Sequence, residues 1–160
     1  MSNYKLIILG PQCSGKTTLA RFLREHYPNL PILEEDELFM ELNGGEYPHD
    51  VEYKEETLRP KLEEKIGQTD NLIFLTSYCN PELLKELKSK GFKVIQLVLE
   101  MDEFNRRNEK RMKEQGYADA NTWAKEVFGF HQEARDKGLV DKEIDATLPI
   151  ETIAKEVLNV

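Results

Sequence analysis

Gly10-Pro11-Gln12-Cys13-Ser14-Gly15-Lys16-Thr17 is the stretch on which the reading of this chain turns. It is preceded by an apolar run at residues 4–9, short enough and apolar enough for a buried strand. A helical pattern follows, with Leu19, Phe22, Leu23 and His26 or Tyr27 recurring on one face. Between a strand and a helix, the spacing G-x-x-x-x-G-K-[ST] builds a cradle for phosphate. The glycines let the backbone wrap closely around the anion, successive N–H groups point inward, and the helix adds its positive N-terminal end. The cradle takes in Gly10, Pro11, Gln12, Cys13, Ser14, Gly15, Lys16, Thr17 and Thr18. Lys16 is placed to bridge the β- and γ-phosphates of a nucleoside triphosphate, and the Thr17 hydroxyl to ligate Mg²⁺. A chance match in a turn is the plainer alternative; the strand before and the amphipathic helix after are the context that separates the two.

Outward from the cradle, the composition sets bounds. The 160 residues suit one domain with a core of its own. Apolar runs such as Leu72–Leu75 are too short to cross a bilayer, so no membrane partner is expected. Residues 1–9 lack the positive start and cleavage site of a secretory signal. Cys13 and Cys79 have neither disulfide-framework nor zinc spacing, and a reduced, cytoplasmic setting follows by default. The net charge of −8 repels phosphate backbones, and the basic residues cluster only over 106–113. That argues against a nucleic-acid partner and suits a small anionic ligand held in one pocket.

The rest of the chain alternates strands and helices. Residues 30–33 read as a second strand, and 53–68 as a polar helix after the Gly44–Pro48 break. Leu72–Thr76 reads as the third strand. Asn80 then caps a helix with Pro81 at its first position, Leu83, Leu84 and Leu87 on its buried face and Gly91 at its end. Residues 92–99 form a fourth strand, apolar enough to be buried on both faces. A highly charged segment runs from 100 to 116, and Trp123, Val127, Phe130 and Ala134 then share the packed face of another helix. A short strand near Ile144 precedes a last helix with a stripe of Ile150, Ile153, Ala154, Val157 and Leu158. Such alternation implies an α/β domain with parallel strands and right-handed crossovers.

Taken with the phosphate cradle, an acidic element at Glu34-Glu35-Asp36, a basic helix at 105–111 and the Asp145-Ala146-Thr147-Leu148-Pro149 loop, the chain resembles the P-loop small-molecule kinases of the nucleoside/nucleotide kinase and shikimate kinase type. The resemblance implies a three-layer P-loop fold, five parallel strands in the order 2-3-1-4-5, helices on both faces, and a lid near residues 104–122. It also implies ATP and Mg²⁺ as cofactors. By the same resemblance Glu34 and Asp36 match a D-x-D pair, one acid helping to hold the metal's water and the other, Asp36, orienting an acceptor hydroxyl. Arg107 and Arg111, four residues apart on one helix face, are the lid arginines that would neutralise the transferring phosphoryl group. Arg59, Ser77 and Tyr78 would face the acceptor, and Ala146 would line the adenine.

Plainer readings stand beside these. Glu34-Glu35-Asp36 also suits the acidic start of a helix; the bases at 106–111 could pair with Glu103, Glu109 and Glu114; Thr147 could be a helix cap; Arg135 could pair with Glu133 or Asp136. Trp123 and Phe130 are expected to pack the lid helix, and His131 to be a core or surface residue. The third strand ends Leu75-Thr76-Ser77-Tyr78, without the metal-holding acid of GTPases and without a glycine-rich turn, so shikimate is not the expected acceptor. A nucleoside, a nucleoside monophosphate or a metabolite alcohol all fit. Two other classes stay open: a slow NTPase or NTP-binding module that acts through a partner, and a kinase acting on nucleic acid. Nothing in the pattern specifies the oligomeric state.

Overall fold

A computed structural model describes residues 3–160. β1 (Lys5–Leu9) lies at the centre of a five-stranded, all-parallel sheet ordered β2-β3-β1-β4-β5. Its partners are β3 (Leu72–Thr76) and β4 (Lys93–Val98); β2 (Ile32–Glu34) and β5 (Lys142–Asp145) are the edges. Successive side chains of β1 serve opposite faces, as the two-residue period of a strand requires. Leu6 and Ile8 join one core with Leu19, Leu23, Ile153 and Val157, while Ile7 and Leu9 join the other with Leu38, Leu62, Leu84 and Phe130. Helices α1 (Lys16–His26) and α8 (Ile150–Leu158) therefore cover one face. α2 (Glu35–Leu42), α4 (Arg59–Gly67) and α5 (Pro81–Ser89) cover the other. α7 (Asn121–Asp136) serves both, with Ala124 in the first core and Phe130 and Ala134 in the second.

The fold class, the strand order and the third strand agree with the sequence reading; several local features differ. The polar helix begins earlier, at α3 (Val51–Tyr53), and passes through a π-helical turn, Lys54–Leu58, before α4. There Arg59 N–H donates to Lys54 O, five residues back, and Pro60, which has no N–H to give, follows at once. The wide turn carries the helix past the missing donor. The charged segment is helix α6 (Met101–Gln115), closed by Gly116 in the left-handed region at φ 67°. Trp123 is 45% exposed rather than buried with Val127, Phe130 and Ala134, and Ala124 and His131 take buried places on α7. Proline 149 occupies the N-cap of α8, so Thr147 is not its cap; its N–H and hydroxyl donate to Asp145. Among the described residues no helix is long and apolar enough to cross a membrane.

All strands point their C-terminal ends at one rim, and there the loops after β1, β2, β3 and β4 converge, as ligand sites do in open parallel sheets. Gly10 is pinned at this rim by its N–H donating to Thr76 O at 3.1 Å. A Cβ on Gly10 would lie 2.4 Å from the buried Ser14 Oγ and 3.3 Å from Leu97 Cβ. Gly10→Ala is expected to destabilise the fold by about 1–3 kcal/mol, measured as a lower urea midpoint at unchanged m-value.

Candidate active site

The phosphate loop begins at Gly10 and turns into α1 at Gly15, whose φ of 91° is left-handed. Cys13 is the one described non-glycine residue with positive φ, at 67°. A side chain in that region costs about 1–2 kcal/mol, and nothing in the residue pattern reveals it. Lys16 folds back across the loop, donating to Gly10 O at 2.7 Å and Pro11 O at 2.9 Å. Burial lowers its pKa to about 8, against the opposing pull of Glu35 and Asp36. Thr17 and Thr18 are exposed at the first turn of α1, where N–H groups have no helical partner.

Helix α6, where the lid is expected, reaches over this loop. Arg107 Nη1 donates to Cys13 O at 2.9 Å and its Nη2 to Ala146 O at 3.2 Å, while Nε is held by Glu103. Arg111 Nη1 lies 3.0 Å from Cys13 Sγ, and its guanidinium sits 4.4 Å from the centre of the Tyr117 ring. Arg106 instead turns outward onto Glu103. Hydrogen bonds from Arg106 and Arg107 bring the Glu103 carboxyl down to about 2. The sequence alternatives for the lid thus hold in part: Glu103 pairs with Arg106 and Arg107, yet both candidate arginines reach the phosphate loop. Asn108, which the pattern left among solvated polar residues, is 2% exposed. Its Nδ2 donates to Asp119 Oδ1 at 2.7 Å and its Oδ1 accepts from Ala120 N at 2.9 Å, clamping the turn between α6 and α7. Only the packing of that turn on α6 marks Asn108 out.

Two cavities meet at the loop. The larger, of about 1250 Å³, is lined by the loop, by Glu34, Glu35, Asp36, Arg59, Ser77 and Tyr78, and by Arg107 and Arg111. Every residue proposed for the acceptor, the metal and the lid therefore faces one cleft. The smaller, of about 170 Å³, lies between Ser14, Thr18, Arg107, Ala146, Leu148 and Ile150. Its lining is mixed, with Leu19, Leu97, Ala146, Leu148, Ile150 and Ile153 as the apolar part, and it is of a size for a flat heterocycle.

Within the cleft the acids are not equivalent. Glu34 forms a capping box with Glu37 at the start of α2, and its carboxylate accepts from Arg24 at 3.2 Å. Glu35 accepts from Arg59 at 2.7 Å. Asp36 forms no hydrogen bond or ion pair among the described residues and is exposed to the cleft. The helix-start reading of this acidic run is correct as well, since Glu35, Asp36 and Glu37 make the first turn of α2. Magnesium fits on the hydroxyl of Thr17 and on phosphate oxygens with water, the usual way in which Mg²⁺ is held. Glu34, neutralised by Arg24, is poorly disposed to serve as a direct ligand. Among the described residues no group of three or more metal-binding side chains occurs.

β3 ends at Thr76, with no acid there. Its hydroxyl donates to Tyr78 O at 2.7 Å and accepts from Tyr78 N at 3.1 Å, shaping the Ser77-Tyr78 turn. His131 Nε2–H, from α7, donates to Ser77 O at 2.9 Å and ties that turn to the helix after the lid. His131 is a core residue, as expected of it. Arg135 lies outside the cleft and holds Gln96 and Gln132, with Glu143 at 3.7 Å, rather than its sequence neighbours Glu133 or Asp136.

No family model and no curated protein matches the chain. Solved structures do. Shikimate kinase from Acinetobacter baumannii, in complex with shikimate, superposes with a TM-score of 0.72 at 14% identity, over 99% of this chain and 92% of that one. Shikimate kinase from Aquifex aeolicus gives 0.66 at 21% identity, over 96% and 93%. The fold is that of the P-loop small-molecule kinases. A gluconokinase from Sinorhizobium meliloti shares it as well, with a TM-score of 0.59 at 15% identity over 98% and 90%. At these identities the likeness is one of fold.

Burial pushes the His131 imidazole down from 6.5 to about 4, with the Ser77 carbonyl pulling the other way. The unfolded chain therefore takes up more protons between those values, so stability is full above pH 6.5 and falls as the pH drops toward 4. Between pH 7 and 4.5 the native protein should lose about 2 kcal/mol more than His131→Gln, read from urea unfolding of both at each pH.

Proposed function

We propose that this chain is an ATP-dependent phosphotransferase that moves the γ-phosphoryl group to a small acceptor, with Mg²⁺. The observation that carries the reading is the convergence on one cleft of Lys16 in the phosphate loop, Arg107 and Arg111 reaching that loop from the lid, and the unpaired carboxylate of Asp36. The small cavity beside Ala146 and Leu148 takes the adenine. The triphosphate replaces the Gly10 and Pro11 carbonyls as the partner of Lys16, whose ammonium then follows the β- and γ-phosphates.

The acceptor oxygen forms a bond to the γ-phosphorus as the bond from that phosphorus to the β–γ bridging oxygen breaks, and ADP leaves with the electron pair. Asp36 orients the attacking hydroxyl and takes its proton. Positioning matters more here than basicity, because little bond to the nucleophile has formed in a loose transition state. Arg107 and Arg111 face the equatorial oxygens, where charge is spread. Thr17 would hold Mg²⁺ beside the phosphates, and the ion would supply charge neutralisation there. The chain works as one domain in which residues 104–122 serve as the lid, and its two free cysteines suit a reduced, cytoplasmic setting.

One feature favours a second reading, a nucleotide-binding module that hydrolyses slowly and acts through a partner: Thr76, tied up in its own turn, supplies no acid to the metal. ADP release from Mg·ATP, measured alone and with nucleosides, monophosphates and small alcohols, separates the two. Stimulation by an acceptor, abolished in Lys16→Ala with the fold intact by circular dichroism, is the expected result. Lys16→Ala that still turns over removes the phosphate loop from the mechanism. ATP that raises the melting temperature while no acceptor stimulates turnover favours the module.

Two further outcomes follow from the charges. Arg111→Ala should lower kcat by about 10²-fold with little change in ATP affinity, checked by steady-state kinetics and calorimetry. Because burial lowers the Lys16 pKa to about 8 in the free protein, Mg·ATP affinity should fall about 25-fold between pH 7.5 and 9.5, whereas Lys16→Met should show a flat profile in the same titration.

A further inference from the structure

Arg111 is held over the phosphate loop by neutral groups. Its Nη1 donates to Cys13 Sγ at 3.0 Å, and its guanidinium sits over the Tyr117 ring, 4.4 Å from the centre. Arg24, Arg59, Arg106 and Arg107 each hold a carboxylate, whereas among the described residues Arg111 has none within ion-pair distance. It also stands close enough to Lys16 for the two like charges to oppose one another.

An arginine that is to meet a phosphoryl group is under two conflicting demands. A carboxylate would fix its direction but would offset the charge that the phosphoryl oxygens need. A side chain with no partner keeps its charge but must lose its rotamer freedom whenever it is used. An aromatic face satisfies both demands. The ring quadrupole attracts the cation, and stacking on the flat side of the guanidinium leaves its in-plane N–H donors pointing outward.

The chain fixes the ring as directly as it fixes the arginine. α6 ends at Gly116, and the N–H groups of Gly116 and Tyr117, the latter at 3.4 Å, both turn back onto the Arg111 carbonyl oxygen. That is the closure of a helix ending in a left-handed glycine. Arg111 and Tyr117 are therefore joined twice, once through the main chain and once through their side chains. Both line the large cleft. Tyr117 is 54% exposed, so its ring is not there to fill a core.

We infer that Tyr117 is a positioning residue for phosphoryl transfer: its ring keeps Arg111 aimed at the phosphate loop without a carboxylate to offset its charge. The inference rests on the phosphotransfer reading and adds to it a residue that acts through Arg111 rather than on the substrate. When the triphosphate enters, Arg111 exchanges the Cys13 thiol for a phosphoryl oxygen and keeps the ring.

The test is a double-mutant cycle on ADP release from Mg·ATP, run with the nucleoside, nucleoside monophosphate or small alcohol that stimulates the native protein most. Tyr117→Leu should lower kcat about fivefold, as expected for an exposed cation–ring contact, with KM for ATP unchanged. Tyr117→Phe keeps the ring and should retain at least about half of the native kcat. In an Arg111→Ala background Tyr117→Leu should have no further effect, because the ring then has nothing to hold. Melting curves check that each variant is folded. A native rate in Tyr117→Leu, an equal loss in both backgrounds or a loss carried by KM overturns the inference and leaves phosphotransfer standing. So does a Tyr117→Phe rate as low as that of Tyr117→Leu, which would place the effect in the hydroxyl. If no acceptor stimulates ADP release from the native protein, phosphotransfer falls and this inference with it.

Discussion

The pairing of β1 with β3 and β4 in parallel register is the constraint on which the site depends. It places Leu9 beside Thr76 and Gln96, so the chain leaves all three strands at one rim. From that rim Gly10 donates to Thr76 O, and the loop that follows has nowhere to go except over the sheet's end and into α1. The same alignment brings Glu35 and Asp36 from the end of β2, the Ser77 turn from β3 and the lid helix from β4 to within one cleft. Each core face contributes: Ile8 and Leu19 hold α1 under the loop, while Leu9, Leu38 and Phe74 hold α2 where its first turn faces the cleft.

Charge in the cleft is divided between its ends. At the loop end Lys16, the Arg107 Nη atoms and Arg111 present donors whose present partners are backbone carbonyls and a thiol, readily exchanged for phosphate oxygens, while Glu103 holds Arg107 by Nε. Toward the other end, Arg59 is bound to two carboxylates, and the pairing holds its guanidinium firmly charged while removing it from use by a ligand. Ion pairs of this kind, partly buried and bidentate, fix geometry better than they add stability. Here the fixed geometry is that of the π-turn, since Glu55 and Arg59 are both carried by it or border it.

Helix α6 and the turn after it are joined to the rest by a small number of polar contacts. Asn108 clamps its turn, Glu103 sets the direction of Arg107, and His131 links the helix beyond it to the Ser77 turn.

Much of this was legible in the residues. The spacing of glycine, lysine and threonine identified the phosphate loop because backbone geometry admits few alternatives there, and the two-residue and three-to-four-residue apolar periods located the strands and helices because burial enforces them. Arg107 and Arg111 could be paired by helical spacing alone. What the order of residues could not convey is which polar side chains pair with one another across ten residues or more. Arg59 with Glu35, Arg24 with Glu34 and Asn108 with Asp119 are decided by how α1, α2, α4 and the lid pack. The exposure of Trp123, next to the buried Ala124 on the same helix, is likewise decided by packing. Local pattern is governed by each segment's own periodicity; pairing and exposure depend on the neighbours that the fold brings to it, and those are settled only in three dimensions.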